Sequence, residues 1–131
     1  MKNKEKQRII SFVKKAQVAL RLQDWTIEVN LKDKAEDSAY ATMETFGESR
    51  HAELKISKKF FKLPAKIQRQ TLIHELIHCH LFFIEGALIH TLHEALPSSK
   101  ANILSRVLTT EIERSTDSLA DAISTLYTAK Y

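Results

Sequence analysis

The spacing of hydrophobic residues changes twice along this chain. From residue 3 to 22 they recur at helical intervals, at Ile9, Phe12, Val13, Ala16, Ala19 and Leu20, with lysine and arginine on the other face. That spacing predicts an amphipathic first helix. In "DWTIEVNL" the period drops to two. Trp25, Ile27, Val29 and Leu31 fall on one side, and Thr26, Glu28 and Asn30 on the other. Such alternation predicts a half-buried strand. "SAYATMETF" (38–46) gives a second strand, and Gly47 and Glu48 give a turn. "HAELKIS" (51–57) gives a third strand, alternating through Ala52, Leu54 and Ile56. The connections are too short for helical crossovers, so a mostly antiparallel sheet is expected.

Helical spacing returns at residue 64. Pro64 suits a first helical turn. The stretch "PAKIQRQTLIHELIHCHLFFIEG" runs to Gly86, where a stop or break is expected. A shorter helix over 87–95 follows, then a turn at "LPSS" (96–99) with good capping residues. A last helix covers 100–129. The predicted class is α+β: an N-terminal helix, a small three-stranded sheet, then a run of helices, in one domain spanning 1–131.

Composition sharpens this picture. Of 131 residues, 44% are hydrophobic and 27% charged, the balance of an ordinary globular protein rather than a disordered chain. Only two glycines and two prolines occur, in keeping with few loops and much helix. The net charge of +4 is mild, and no basic motif interleaved with aromatics appears. A nucleic-acid partner is therefore weakly supported, and a solvated basic surface is the simpler reading. A single cysteine, Cys79, rules out an intrachain disulfide. No uninterrupted apolar run reaches the ~18 residues of a membrane span. The charged N-terminus does not resemble a signal peptide. No membrane association is expected, and a cytoplasmic location is. Oligomeric state is left open.

The chemistry concentrates in "IHELIHCH" (73–80). His74 and His78 are four residues apart, so a helix stacks them on one face, where both can reach one zinc ion. Glu75 is rotated by ~100° and flanks the same site. This is the H-E-x-x-H arrangement, with Glu75 as general base toward a zinc-bound water. Leu72, Leu76, Cys79 and Phe83 form an apolar stripe on the opposite face. Cys79 belongs to that packing face, and His80 points away from the pair.

A catalytic zinc usually has three protein ligands. Glu85 lies on the right face of the helix but about 10 Å further along the axis, too far to share the ion. The leading third ligand is Glu113. It is paired four residues on with Asp117, which would accept the N–H of His74 and fix its tautomer. Thr109, Thr110 and Ala120 are small neighbours that permit close helix approach. Leu104, Leu108, Ile112, Leu119, Ile123 and Leu126 are expected to form a separate core stripe. His93 and His90 are the alternative third ligands, if a turn folds one of them back to the metal. His51, His90, His93 and Tyr127 are all candidates for an electrophilic helper.

His74-Glu75-Leu76-Ile77-His78 followed by Glu113-x-x-x-Asp117 resembles the gluzincin metallopeptidases, whose motif helix pairs with a second helix carrying Glu-x-x-x-Asp. The order of "DWTIEV" (24–29), "TLIHELIH" (71–78) and the 111–121 segment also resembles the small SprT-like metallopeptidases of phages and bacteria. These resemblances imply a zincin-like fold, one Zn2+ ion, peptide or protein substrates and the cytoplasm of a bacterial or phage-infected cell. They also imply that the strand before the motif helix, 51–57, is an edge that receives substrate as an added strand. The chain departs from these families in three ways. The interval from His78 to Glu113 is longer than in thermolysin, so 87–95 would be an insertion. The SprT proteins proper use a third histidine in a glycine-flanked context, and "IHTLHEALP" around His93 lacks those glycines. Leu81 stands where a metzincin would have glycine. The alternatives are a DNA-associated SprT-like protease with a third histidine ligand and a catalytically silent zinc-binding or regulatory phage protein. A zinc nuclease fits the spacing poorly.

Overall fold

The computed structural model describes residues 2–31, 39–127 and 131. Ser38, at the start of the second expected strand, and residues 128–129 of the expected last helix lie outside them. Among the described residues, three α-helices and three strands follow one another as α1 (Lys2–Ala19), β1 (Thr26–Asn30), β2 (Ala41–Phe46), β3 (His51–Ile56), α2 (Ala65–Ala95) and α3 (Ser98–Leu126). The α+β class is the one the residue pattern predicts, and so is the order of elements up to the helix that begins after Pro64.

Helix α1 buries Ile9, Phe12, Val13 and Ala16, the expected apolar face. It stops at Ala19, which is exposed. The stop is built from backbone: the Leu22 N–H donates to Gln17 O at 2.7 Å and the Arg21 N–H to Val18 O at 3.2 Å. Arg21 is left-handed, with φ 58°. This is the Schellman pattern with arginine in the place glycine usually takes. In a chain with two glycines, an occasional left-handed non-glycine residue is the cost, of order 1 kcal/mol.

The sheet order is β1-β3-β2. β2 runs antiparallel to β3, and β1 runs parallel to it, with Ile27 opposite Ala52 and Val29 opposite Leu54. A largely antiparallel pairing was expected from the short connections. The parallel pair arises because β2 itself is the crossover: the chain leaves β1, turns, and returns through β2 before β3 begins. So β3 is the central strand, not an edge, and Leu54 and Ile56 are almost wholly buried. Each such side chain contributes roughly 1.5–3 kcal/mol. The other face of the sheet is polar, with Asn30 Nδ2 donating to Glu53 Oε1 at 2.8 Å and Lys55 paired to Glu44 at 2.6 Å.

Helix α2 is continuous for 31 residues. No break occurs at Gly86, and 87–95 is not a separate helix. A glycine inside a helix costs ~1 kcal/mol, too little to interrupt a helix that packs along a neighbour. As one uninterrupted element, α2 is long and apolar enough to cross a membrane by length and composition. Its middle nevertheless lies in the core, with Leu72, Ile73, Leu76, Ile77 and Cys79 all buried. Phe83, expected in that stripe, is 43% exposed, although its ring lies 6.1 Å from that of Trp25. Pro97 caps α3, which starts at Ser98 with no side-chain cap. The core stripe expected along α3 forms only in part. Ile123 packs against the core and Leu108 and Ile112 are half-buried, but Leu104, Leu119 and Leu126 are exposed, and the fully buried residues are Ala101, Thr116 and Ala120. Small residues win there because α3 lies close against α2, leaving no room for leucine on the facing side.

Candidate metal centre

The site forms where the middle of α2 meets the middle of α3. Only a short turn joins the two helices, so they run antiparallel in fixed register. His78 lies 18 residues before Leu96, about 27 Å along the axis. Glu113 lies 16 residues after Pro97, about 24 Å. The two therefore meet at the same level. On α3, Glu113, Thr116, Asp117 and Ala120 fall on one face at helical spacing. Thr116 and Ala120 are fully buried, which brings the carboxylates against α2. Thr116 was not singled out from the sequence; its place three residues after Glu113 and four before Ala120 is the signal that could have marked it. Thr109 and Thr110, expected to allow the approach, are exposed.

The imidazoles of His74 and His78 have their ring centroids 4.8 Å apart and their Nε2 atoms 3.1 Å apart. Glu113 reaches both: Oε2 lies 3.3 Å from His74 Nε2, and Oε1 lies 2.9 Å from His78 Nε2. One ligand atom from each of the three residues fits within a 4.8 Å cluster, enough to hold a metal ion. Tetrahedral coordination with bonds of about 2.0–2.1 Å separates neighbouring ligand atoms by roughly 3.3 Å. The observed spacings lie close to that value. Asp117 Oδ1 is 2.8 Å from His74 Nδ1, so that N–H can donate to the carboxylate and leave the Nε2 lone pair facing the cluster. Two imidazoles and a carboxylate are a donor set suited to zinc.

Glu75 is 8% exposed. Burial pushes its carboxyl up to about 8, and the nearby Glu113 and Asp117 carboxylates add to this. A backbone hydrogen bond from Met43 on β2 pulls the other way. Met43 was not anticipated as a neighbour of the site. Burial also lowers the pKa of His78, against the pull of Glu113. Burial pushes the Cys79 thiol up to about 12. Cys79 thus packs in the core, as expected for its face.

The other candidates lie elsewhere. His93 is on the same unbroken helix as His78, 15 residues on and so about 22 Å along the axis, with Nε2 3.5 Å from Ser105 Oγ. His90 is about 18 Å along the axis and lies 3.7 Å from Glu94. Helical continuity through Gly86 removes the turn that would have folded either one back. His80 contacts the Leu20 carbonyl, away from the cluster. Tyr127 stacks near Phe12 and Arg69, and His51 pairs with Glu28 and Phe46. Glu85 lies outside the cluster, although the Glu113 carboxylate adds to the effect of burial in raising its pKa.

Comparison with known families matches the SprT-like family over residues 7–113. That span takes in α1 from Gln7 onward, the whole sheet, α2 and α3 as far as Glu113. No curated protein and no solved structure matches.

Proposed function

Because the chain belongs to the SprT-like family, we propose that it is a zinc-dependent peptidase whose ion would be held by His74, His78 and Glu113. The observation that carries this reading is the convergence of those three side chains from two helices. Zinc bound there supplies Lewis-acid chemistry, polarising a carbonyl oxygen and lowering the pKa of water toward ~7.

The chain's own residues would do the rest. Glu75 takes a proton from the attacking water and passes it to the leaving amine. Asp117 fixes the His74 tautomer and orients the ring. The strand that would receive substrate is β2 rather than 51–57. β2 is an edge of the sheet, and its Met43 contacts Glu75. An extended peptide added there would pass in front of the base, bound through main-chain hydrogen bonds. A three-histidine site draws no support from the placement of His93. A metal-binding protein without hydrolysis would have no use for a buried carboxylate beside the cluster.

The test is metal analysis alongside proteolysis. Wild-type protein purified without chelators should contain one zinc per chain. Glu75→Gln should keep the zinc and lose hydrolysis of an unfolded protein substrate. Wild type that neither holds nor takes up zinc would overturn the proposal, and unchanged proteolysis by Glu75→Gln would remove Glu75 as the base.

A further inference from the structure

Beyond the metal centre, α2 and α3 continue as a bare two-helix arm. No α2 residue after Cys79 is buried, and α3 buries only Ala101 before Thr116. One side of the arm is apolar across both helices. Ile84 is 61% exposed, Leu88 46%, Leu104 43% and Val107 55%. Between the helices lies a shallow groove lined by Leu88, Leu92, Leu104, Val107 and Leu108, with Glu111 at its end.

The spacing on this side is regular. On α2 the strip runs Ile84, Leu88, Thr91, Ala95, and on α3 it runs Lys100, Leu104, Val107, Glu111. Both alternate steps of four and three, the pattern of a helix that packs against another helix. A two-helix hairpin with such a face is half of a four-helix bundle.

We infer that this face binds a second copy of the chain, forming a two-fold symmetric dimer in which the two arms make a four-helix bundle. Three observations select that occupant. The first is exposure. Ile84, Leu88, Leu104 and Val107 are each at least 43% exposed on this side, an apolar patch of the kind that marks a protein contact.

The second is self-complementarity. A two-fold contact must match a patch to itself. The α3 strip does this when it meets its copy antiparallel about the midpoint between Leu104 and Val107. Leu104 of one copy then faces Val107 of the other, and Lys100 faces Glu111. Opposite charges fall at both ends, and apolar side chains fall in the middle. The third is the scarcity of charge between those ends, which suits an apolar protein face and not a polyanion such as nucleic acid.

Sedimentation velocity and light scattering of the full chain, over a dilution series, test the inference. Wild type should have twice the 15.0 kDa chain mass. Val107→Glu, at a position already half-exposed, should give a folded monomer with unchanged circular dichroism. Lys100→Glu should weaken association about tenfold or more by opposing like charges. Combining it with Glu111→Lys should restore the dimer, which a merely unfolded arm would not do. Metal content should stay the same in all these variants, so failure of the dimer and failure of the zinc site can be told apart. A wild type that remains monomeric at every concentration overturns the inference. So does a dimer indifferent to Val107→Glu, or a monomer that binds phosphatidylcholine vesicles through the arm.

Discussion

The sharpest consequence of the site geometry concerns Glu75 in the metal-free protein. Its carboxyl has a pKa of about 8 in the fold against 4.5 in the unfolded chain. A carboxyl raised in this way binds its proton more tightly when folded. Its contribution to stability is fully present below pH 4.5 and is lost progressively as pH rises to about 8. Each pH unit in that window costs at most 1.36 kcal/mol, so at pH 7, where the folded carboxyl still holds its proton and the unfolded one is ionised, the fold has lost about 3 kcal/mol. Glu75→Gln keeps the shape and can still accept the Met43 N–H, but it has no charge to bury. In excess chelator the variant should therefore match wild type near pH 4.5 and exceed it by about 3 kcal/mol at pH 7. For a chain of this length that gap is roughly 10 °C in Tm. Burial lowers the His78 pKa, which works in the opposite direction below pH 6.5, but that effect is common to both proteins and cancels in the difference. The assay is urea unfolding of both proteins with EDTA at half-unit pH steps. Parallel stability curves between pH 5 and 8 would refute the reasoning, because Glu75 would then be no more costly to ionise in the fold than outside it.

Other expectations follow from the same geometry. His74→Ala, His78→Ala and Glu113→Ala should each abolish stoichiometric zinc binding, whereas His93→Ala should bind zinc like wild type; equal loss in all four would break the assignment. Asp117→Ala should keep the three ligands but weaken zinc affinity by roughly 10–100-fold, read by competition with a chelating dye. Gly86→Ala should raise stability by ~1 kcal/mol, seen as a higher Tm, because Gly86 sits in an unbroken helix with open space where a Cβ would go. Cys79, buried and with its thiol pushed up to about 12, should resist alkylation at pH 8 until the protein is unfolded; rapid labelling of native protein would contradict its burial.

Much of this molecule could be read along the chain. The two changes of period marked where helix gives way to sheet and sheet to helix, because side-chain alternation and helical recurrence are local properties. The pairing of His74 with His78, and of Glu113 with Asp117, needed only the pitch of a helix. What the sequence could not settle was set at a distance. Gly86 looked like a stop, but whether a glycine ends a helix depends on what packs beside it, and here α3 supports α2 along its length. Once α2 is unbroken, the short turn at 96–97 fixes the register, Glu113 meets His78, and His93 is carried about 22 Å away. The parallel pairing of β1 with β3 was hidden for a similar reason, since strand order depends on contacts between segments far apart in sequence. It moved the free edge beside the site from β3 to β2 and brought Met43 to Glu75. The burial of Thr116 and Ala120 in place of the leucines of α3 also came from the tertiary structure, because a helix turns its small face inward only when another helix lies close against it.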